Sequence, residues 1–401
     1  MDNLSAKETP PTRETELAPL GSDPELRPIK AKLRIGLEGE FLLWPEKLTG
    51  IQRYVIELCR ELDRLLPRAE FFLYTRRPVK VPPFFSSRWT IRTDKCAYFG
   101  PLAQTRWLLF GIKRLCRQDC LHVFWATGTP APFLPGSIKL VTTIFDLVYI
   151  VSPQTTTLRE RLINHLFFKR SLERASAIVP ISHGTARRLS DLFRLDSTAV
   201  VRPSVSTAFF PRSQKEVDAC LHGLGVAPPY LLAVATQQPR KNLELLVRTF
   251  LKMKDRGALP RHTLVLAGAP GWKNRGLEKL LARADHSTII SLGYVPDGDL
   301  LALYSGCDVF VFPSSYEGFG MPVAEARACG ARVVASDIPE LREAGDEHVV
   351  YVTPTEEALA KGILEALSRP KPPAMAVTQA SSWKASAALL ADVFVRVCAA
   401  G

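Results

Sequence analysis

Residues 312–330 read FPSSYEGFGMPVAEARACG, and the fold can be worked outward from them. An apolar strand, Val309–Phe312, runs into a loop carrying Glu317, Gly318, Phe319 and Gly320, and Pro322 stands where a helix begins. Proline's fixed φ and missing N–H suit a first helical turn. Glycines let backbone approach a ligand closely, and the free N–H groups of a helix start attract phosphate oxygens. Glu317 and Glu325 frame that anion site, one in the loop and one about a turn inside the predicted helix, Val323–Cys329. Carboxylates do not bind phosphate; they accept hydrogen bonds from neighbouring hydroxyls. A phosphate flanked by a sugar on one side and a ribose on the other is a nucleotide sugar. Taken alone, Glu317 would read as a cap and Glu325 as a solvated helix residue. The glycine–proline turn at the end of a buried strand favours the ligand.

Around this segment strands and helices alternate. The second half holds strands Tyr230–Ala235, Thr263–Ala267, Ile289–Leu292, Val309–Phe312 and Arg332–Ala335, with helices Leu243–Lys254, Leu277–Ala284 and Asp299–Ser305 between them. The first half opens with strand Lys32–Glu38, a loop ending in Thr49-Gly50, and a helix from Ile51 to Leu66. Strands Ala69–Tyr74, Val123–Ala126, Leu140–Phe145 and Ala177–Ile181 follow, with a helix from Thr157 to Ala175. Such alternation predicts α/β architecture: two Rossmann-like domains with parallel sheets and a cleft between them. Proline and serine at Arg202-Pro203-Ser204 and Phe210–Ser213 mark the hinge. The expected division is a disordered leader over 1–30, a first domain over 31–205 and a second over 206–381, with a last helix, about 382–400, packing back on the first.

The 401 residues suit two cores, and 46% hydrophobic with 23% charged residues is a globular composition. No apolar run reaches the roughly 18–20 residues that cross a bilayer. Residues 1–30 lack the apolar centre of a signal peptide. Eight cysteines without a CxxC pair fit a reducing cytoplasm; Cys116 and Cys120 read as free thiols. A net charge of +12 points to an anionic partner, either a phosphorylated substrate or an anionic membrane; no nucleic-acid-binding motif is present.

The Glu317–Glu325 segment resembles the E-x7-E motif of retaining glycosyltransferases of family 4, which have the GT-B fold. The resemblance implies that Glu317 meets the transferred sugar, Glu325 the ribose hydroxyls, and the amides of Phe319, Gly320 and Met321 the diphosphate, with Gly318 in the same loop. Ala235–Asn242, ATQQPRKN, resembles the family's basic turn, so Arg240 and Lys241 are expected to neutralise the diphosphate without a metal. Thr49–Tyr54, TGIQRY, resembles the first-domain loop, with Gly50 expected on the diphosphate and Arg53 and Tyr54 on the acceptor. Gln52 stands where the family has a second glycine. Thr142–Asp146, TTIFD, matches a segment that usually ends in His-Asp; Phe145 replaces the histidine, and Asp146 is left as a catalytic and acceptor-binding candidate. His122 and His183 near strand ends are candidates to compensate. Tyr294 and Val295 are expected to touch the base through backbone groups, and Asp297-Gly298-Asp299 reads as helix capping rather than a metal site.

The implied activity is metal-independent transfer of a hexose, mannose by resemblance, from a nucleoside-diphosphate sugar (GDP-mannose) to a saccharide or polyprenyl-diphosphate-linked acceptor. The implied setting is surface-polysaccharide assembly on the cytoplasmic face of the membrane. Two cationic–apolar stretches, Arg106–Arg117 and Leu158–Arg174, are candidates for peripheral contact with anionic lipid. Two alternatives stay open: a GT-B sugar-nucleotide epimerase, and a catalytically silent GT-B subunit that binds donor or a partner transferase.

Overall fold

The computed structural model describes residues 32–39, 49–79, 84–94, 103–128, 130–272, 274–285 and 287–400. The expected leader, 1–30, and the side chain of Arg159 lie outside the described residues. The first sheet is built from β1 (Arg34–Glu38), β2 (Glu70–Thr75), β3 (Trp89–Thr93), β4 (Val123–Ala126), β5 (Lys139–Ile144) and β6 (Ala177–Pro180). The second is built from β7 (Tyr230–Val234), β8 (Thr263–Ala267), β9 (Ile289–Gly293), β10 (Val309–Phe312), β11 (Val333–Ser336) and β12 (Val350–Val352). Their orders are β3-β2-β1-β4-β5-β6 and β12-β11-β10-β7-β8-β9, and the paired strands run parallel. Numbered within its own half, each sheet reads 3-2-1-4-5-6. The strand order therefore reverses between β1 and β4 and again between β7 and β10, where open α/β sheets receive ligands.

The central strands are apolar because helices cover both faces. β10 is buried throughout, and helix Leu243–Asp255 lays Leu246, Val247, Phe250 and Met253 into the core. In the first half, helix Gly50–Leu65 buries Tyr54, Val55, Leu58, Cys59 and Leu62. The last helix, Trp383–Ala399, returns to the first domain. Phe394 lies 6.2 Å from the Trp125 ring, Trp383 lies 5.9 Å from Tyr54, and Ser386 Oγ donates to Arg202 O at 2.6 Å. Burying a side chain such as Phe394 is worth about 1.5–3 kcal/mol.

Candidate functional site

Two loops leave adjacent strands at the switch point of the second sheet. After β7 the turn Pro239–Lys241 presents Arg240 and Lys241; after β10 the chain reaches Glu317. Arg240 Nη1 donates to Glu317 Oε2 at 2.8 Å, and Lys241 Nζ to Glu317 Oε1 at 2.5 Å. Arg240 also donates to Tyr316 O, and Ser315 N donates to Arg240 O at 2.8 Å, so the two loops are bound to each other. Glu317 is only 5% exposed. Burial pushes its carboxyl up, but Lys241 and then Arg240 outweigh burial and hold it at about 2. Burial brings the Lys241 ammonium down to about 8; Glu317 opposes that fall and Arg240 reinforces it. Asp146, from the first domain, belongs to the same charge field. Burial raises its carboxyl, Arg240 pulls it back, and Glu317 pushes it up again.

The chain then turns into helix Met321–Ala328 through Gly320, whose φ of +111° suits glycine. Pro322 sits in that helix's first turn, as its missing N–H requires, and Val323 N donates to Gly320 O. Glu325 lies on the buried side, 7% exposed. Tyr304 Oη donates to its Oε2 at 3.2 Å, and Arg53 Nη1 to its Oε1 at 3.2 Å. Burial raises the Glu325 carboxyl, Arg53 opposes the rise, and Asp297 adds to it.

The two domains meet along this line. Tyr316 Oη accepts from Leu147 N at 2.6 Å, and Thr185 Oγ1 donates to Gly318 O at 3.3 Å. Arg188 forks onto Glu340, whose carboxylate is fully buried, at 2.8 and 3.4 Å. Trp272 Nε1 donates to Thr155 O at 2.8 Å, and His183 N to Glu343 Oε2 at 2.8 Å. Gly318 explains its residue type here: a Cβ would fall 2.0 Å from Phe145 O. Its bareness admits the first domain's backbone.

Several candidates take other places. Tyr54 is not open to an acceptor: it is 1% exposed, donates to Val201 O at 2.9 Å, and packs edge-on against Phe145 at 5.3 Å. Arg53 turns to Glu325 and Asp297. Gly50 is exposed and an added Cβ would meet nothing within 4 Å, so no close approach demands glycine there. Gln52 completes a capping box with Thr49: Thr49 Oγ1 accepts from Gln52 N at 3.3 Å, and Gln52 Oε1 from Thr49 N at 2.8 Å. Its role is to start the helix. Asp297 and Asp299 lie in the first turn of helix Asp297–Gly306, but Pro296 holds the cap position and makes no side-chain cap bond. Asp297 instead pairs with Arg53 at 2.5 Å.

Val295 is buried in the core, while Tyr294 is half-exposed beside it. His122 cannot compensate for Phe145: its Nδ1 accepts from Arg34 N at 2.9 Å, at the start of β1 and so at the edge opposite the ligand side. His183 is exposed at the start of helix His183–Phe193. Cys116 is buried and Cys120 exposed, both as free thiols. Tyr304, Tyr316, Arg188 and Glu340 join the cleft without having been read from sequence.

Of the two cationic stretches, residues 106–117 bury Trp107, Leu108, Ile112 and Cys116 and leave Phe110 exposed. Helix Leu158–Glu173 leaves Leu158, Leu162 and Leu166 in solvent beside a groove lined by Tyr149, Phe168 and Phe193, with Arg161 and Lys169 at its rim. Among the described residues no helix is long and apolar enough to cross a membrane.

Residues 222–383, most of the second domain, match the family model described as glycosyl transferases group 1. The O-antigen chain mannosyltransferase B of Escherichia coli is 32% identical over 246 residues, covering 59% of this chain and 64% of its own length. The serotype-specific mannosyltransferase WbdA of Escherichia coli is 29% identical over 293 residues, 68% of this chain and 35% of its own length. The chain thus spans less than two thirds of either relative. Among solved structures, sucrose-phosphate synthase from Thermosynechococcus elongatus superposes with a TM-score of 0.73 at 19% identity, over 92% of this chain and 100% of that one. That likeness speaks for the fold, two facing parallel-sheet domains. The second domain thus matches the group 1 glycosyl transferases, and the two-domain architecture is that of the GT-B fold.

Proposed function

We propose that the chain is a retaining, metal-independent glycosyltransferase that moves mannose from GDP-mannose to a saccharide or polyprenyl-diphosphate-linked saccharide, in the assembly of a bacterial surface polysaccharide. Residues 206–381 would bind the donor and residues 31–205 the acceptor. One observation carries the reading: Glu317 lies between Arg240 and Lys241 at the switch point of the second sheet, with Asp146 facing them from the first domain. The choice of mannose and of polysaccharide assembly is supported by the two Escherichia coli relatives, an O-antigen chain mannosyltransferase and a serotype-specific mannosyltransferase.

In this reading Glu317 is the resident counter-ion of a diphosphate site. When a donor enters, its phosphate oxygens take over Arg240 and Lys241, the one as a planar fork and the other as a point charge. The two oxygens of Glu317 are then free to accept sugar hydroxyls. Charge on the departing diphosphate is met by fixed cations and by the amides of Phe319, Gly320 and Met321 in a site closed to water. The diphosphate itself takes the acceptor's proton, so Phe145 need not act as a base. Asp146 binds the acceptor. Gly50, Tyr294 and Val295 complete the donor site through their backbone groups. The helix Leu158–Glu173 holds the protein at the cytoplasmic face of the membrane through Leu158, Leu162 and Leu166.

The test is a calorimetric screen of nucleotide sugars followed by a transfer assay. Lys241→Ala should weaken donor binding roughly ten- to a hundredfold. Asp146→Asn should leave donor binding in place and lower transfer. An unchanged donor affinity in Lys241→Ala sinks the diphosphate assignment. A second reading, a donor-binding subunit without turnover, is favoured by Phe145, which packs on Tyr54 where a hydrogen-bonding ring was expected. Donor binding without transfer to any acceptor in a membrane extract would select it.

A further inference from the structure

Arg53 sits in the first turns of helix Gly50–Leu65, in the first domain, yet its guanidinium reaches into the second. Nη1 donates to Glu325 Oε1 at 3.2 Å and Nη2 to Asp297 Oδ1 at 2.5 Å, while the guanidinium carbon stands 5.7 Å from the Phe209 ring centroid. One residue therefore links helix Met321–Ala328, helix Asp297–Gly306 and the hinge side of the second domain. Its own position is fixed from behind. The Thr49–Gln52 capping box sets the turn in which it lies, and the next residue, Tyr54, is anchored to Val201 O and wedged between Phe145 and Trp383. Fixing a working side chain through the packing of its neighbours is how a site gains positional accuracy.

Glu325 is held from two sides. Arg53 donates to one oxygen and Tyr304 to the other. An ionised carboxylate offers about four lone-pair positions, so two donors leave room for two more. Two hydrogen bonds are what a vicinal diol would donate. Arg53 thus need not leave when a ribose arrives; it sets the orientation in which the ribose is met. We infer that Arg53 is a positioning residue that aims Glu325 at the two ribose hydroxyls of a nucleoside-diphosphate donor and couples their recognition to closure of the first domain on the second. The inference rests on the donor-site reading of Glu325.

A chemical consequence separates this role from plain packing. Glu325 is faced by Arg53, Asp297, Tyr304 and Cys329. Burial already raises its carboxyl, and Asp297 raises it further against Arg53. Without Arg53 the carboxyl takes up a proton at higher pH than before. A protonated carboxyl donates where the diol needs an acceptor. Ribose recognition in an Arg53 variant should therefore fail at a higher pH than in wild type as pH falls, and recover as pH rises.

The experiment is titration calorimetry on the full chain with guanosine diphosphate and its 2′,3′-dideoxy counterpart, between about pH 6 and 9, with the uridine pair in parallel. Wild type should prefer the ribose form by roughly ten- to a hundredfold. Arg53→Ala should reduce that preference to under about threefold at pH 7, regain part of it toward pH 9, and bind the dideoxy nucleotide within about threefold of wild type. Arg53→Gln carries the same comparison should the alanine variant not fold. A variant that keeps the full preference overturns the inference. So does one that binds the ribose form more tightly than wild type, because Arg53 would then be a blocker. Equal loss of both nucleotides also overturns it, since the damage would not be specific to ribose. A wild-type protein that binds both nucleotides equally removes the ribose role of Glu325 and this inference with it. Wild type binding neither removes the donor reading itself.

Discussion

Replacing Glu317 by Gln keeps the shape of the side chain and removes the one negative charge that Arg240 and Lys241 both contact. Their side chains are 18% and 12% exposed, so water replaces little of what is lost. Removing one partner of a buried ion pair costs about 3–5 kcal/mol, because the opposite charge stays behind without compensation. Asp146 shares the field and supplies part of the missing charge, which places the expected loss near the lower end, about 3 kcal/mol.

The pH dependence gives the loss a signature. In wild type the Glu317 carboxyl is held at about 2, below its ordinary value of 4.5. Its stabilisation is therefore complete above that ordinary value and disappears as pH falls through about 2. On the alkaline side Lys241 gives up its proton near 8 in wild type, and lower in the variant, where the support of Glu317 is gone. A neutral lysine needs no counter-ion. The gap between wild type and variant should be widest between about pH 5 and 7 and narrow at both ends. Diphosphate replaces the missing charge, so guanosine diphosphate should stabilise the variant more than wild type. Urea unfolding followed by tryptophan fluorescence from pH 3 to 9, with and without the nucleotide, measures all three effects. A pH-independent gap, or equal stabilisation by the nucleotide, would refute the account of Glu317 as the resident counter-ion.

Gly318→Ala places a Cβ 2.0 Å from Phe145 O and 3.3 Å from Asp146 Cβ, a clash with backbone that no rotamer relieves. The domains should then be held apart, with transfer down by about a hundredfold or more while nucleotide binding to the second domain falls far less; an unaltered transfer rate would show that closure does not need this approach. Leu162→Asp combined with Leu166→Asp should abolish sedimentation with phosphatidylglycerol vesicles and leave nucleotide affinity as it was, since both leucines are exposed on a helix outside the cleft. Retained sedimentation, or equal binding to neutral vesicles, would count against membrane contact through that helix.

The parts of this molecule that were legible in sequence are those whose physics is local. Strand–loop–helix alternation follows from hydrophobic periodicity, and the turn after β10 was readable because glycine, proline and two spaced glutamates occupy one short segment. Strands β3 and β12 were missed for local reasons too. Trp89–Thr93 is a mixed edge strand with no fully buried residue, and Val350–Val352 is only three residues long, so neither carries a period-two signal. Gln52 shows a signal that was present and misread. As a missing glycine it looked like a defect, whereas Thr49-x-x-Gln52 also fits the capping-box pattern that the structure displays.

What no local pattern carries is the pairing across the cleft. Arg53 and Glu325 are 272 residues apart, and Arg188 and Glu340 are 152 apart. Each pair joins an element of one domain to an element of the other, a relation between domains and not a property of either segment. This also accounts for the direction of the Tyr54 error. From TGIQRY the arginine and tyrosine look alike, two polar side chains on one helix start. Their fates differ because the cleft lies on one side of that helix and the returning helix Trp383–Ala399 on the other. Only the arginine faces the cleft. In a two-domain protein of this kind, residues that lie together within one domain can be placed from sequence with a physical reason attached. Residues that must work between the domains can be assigned only after the partner surface is known.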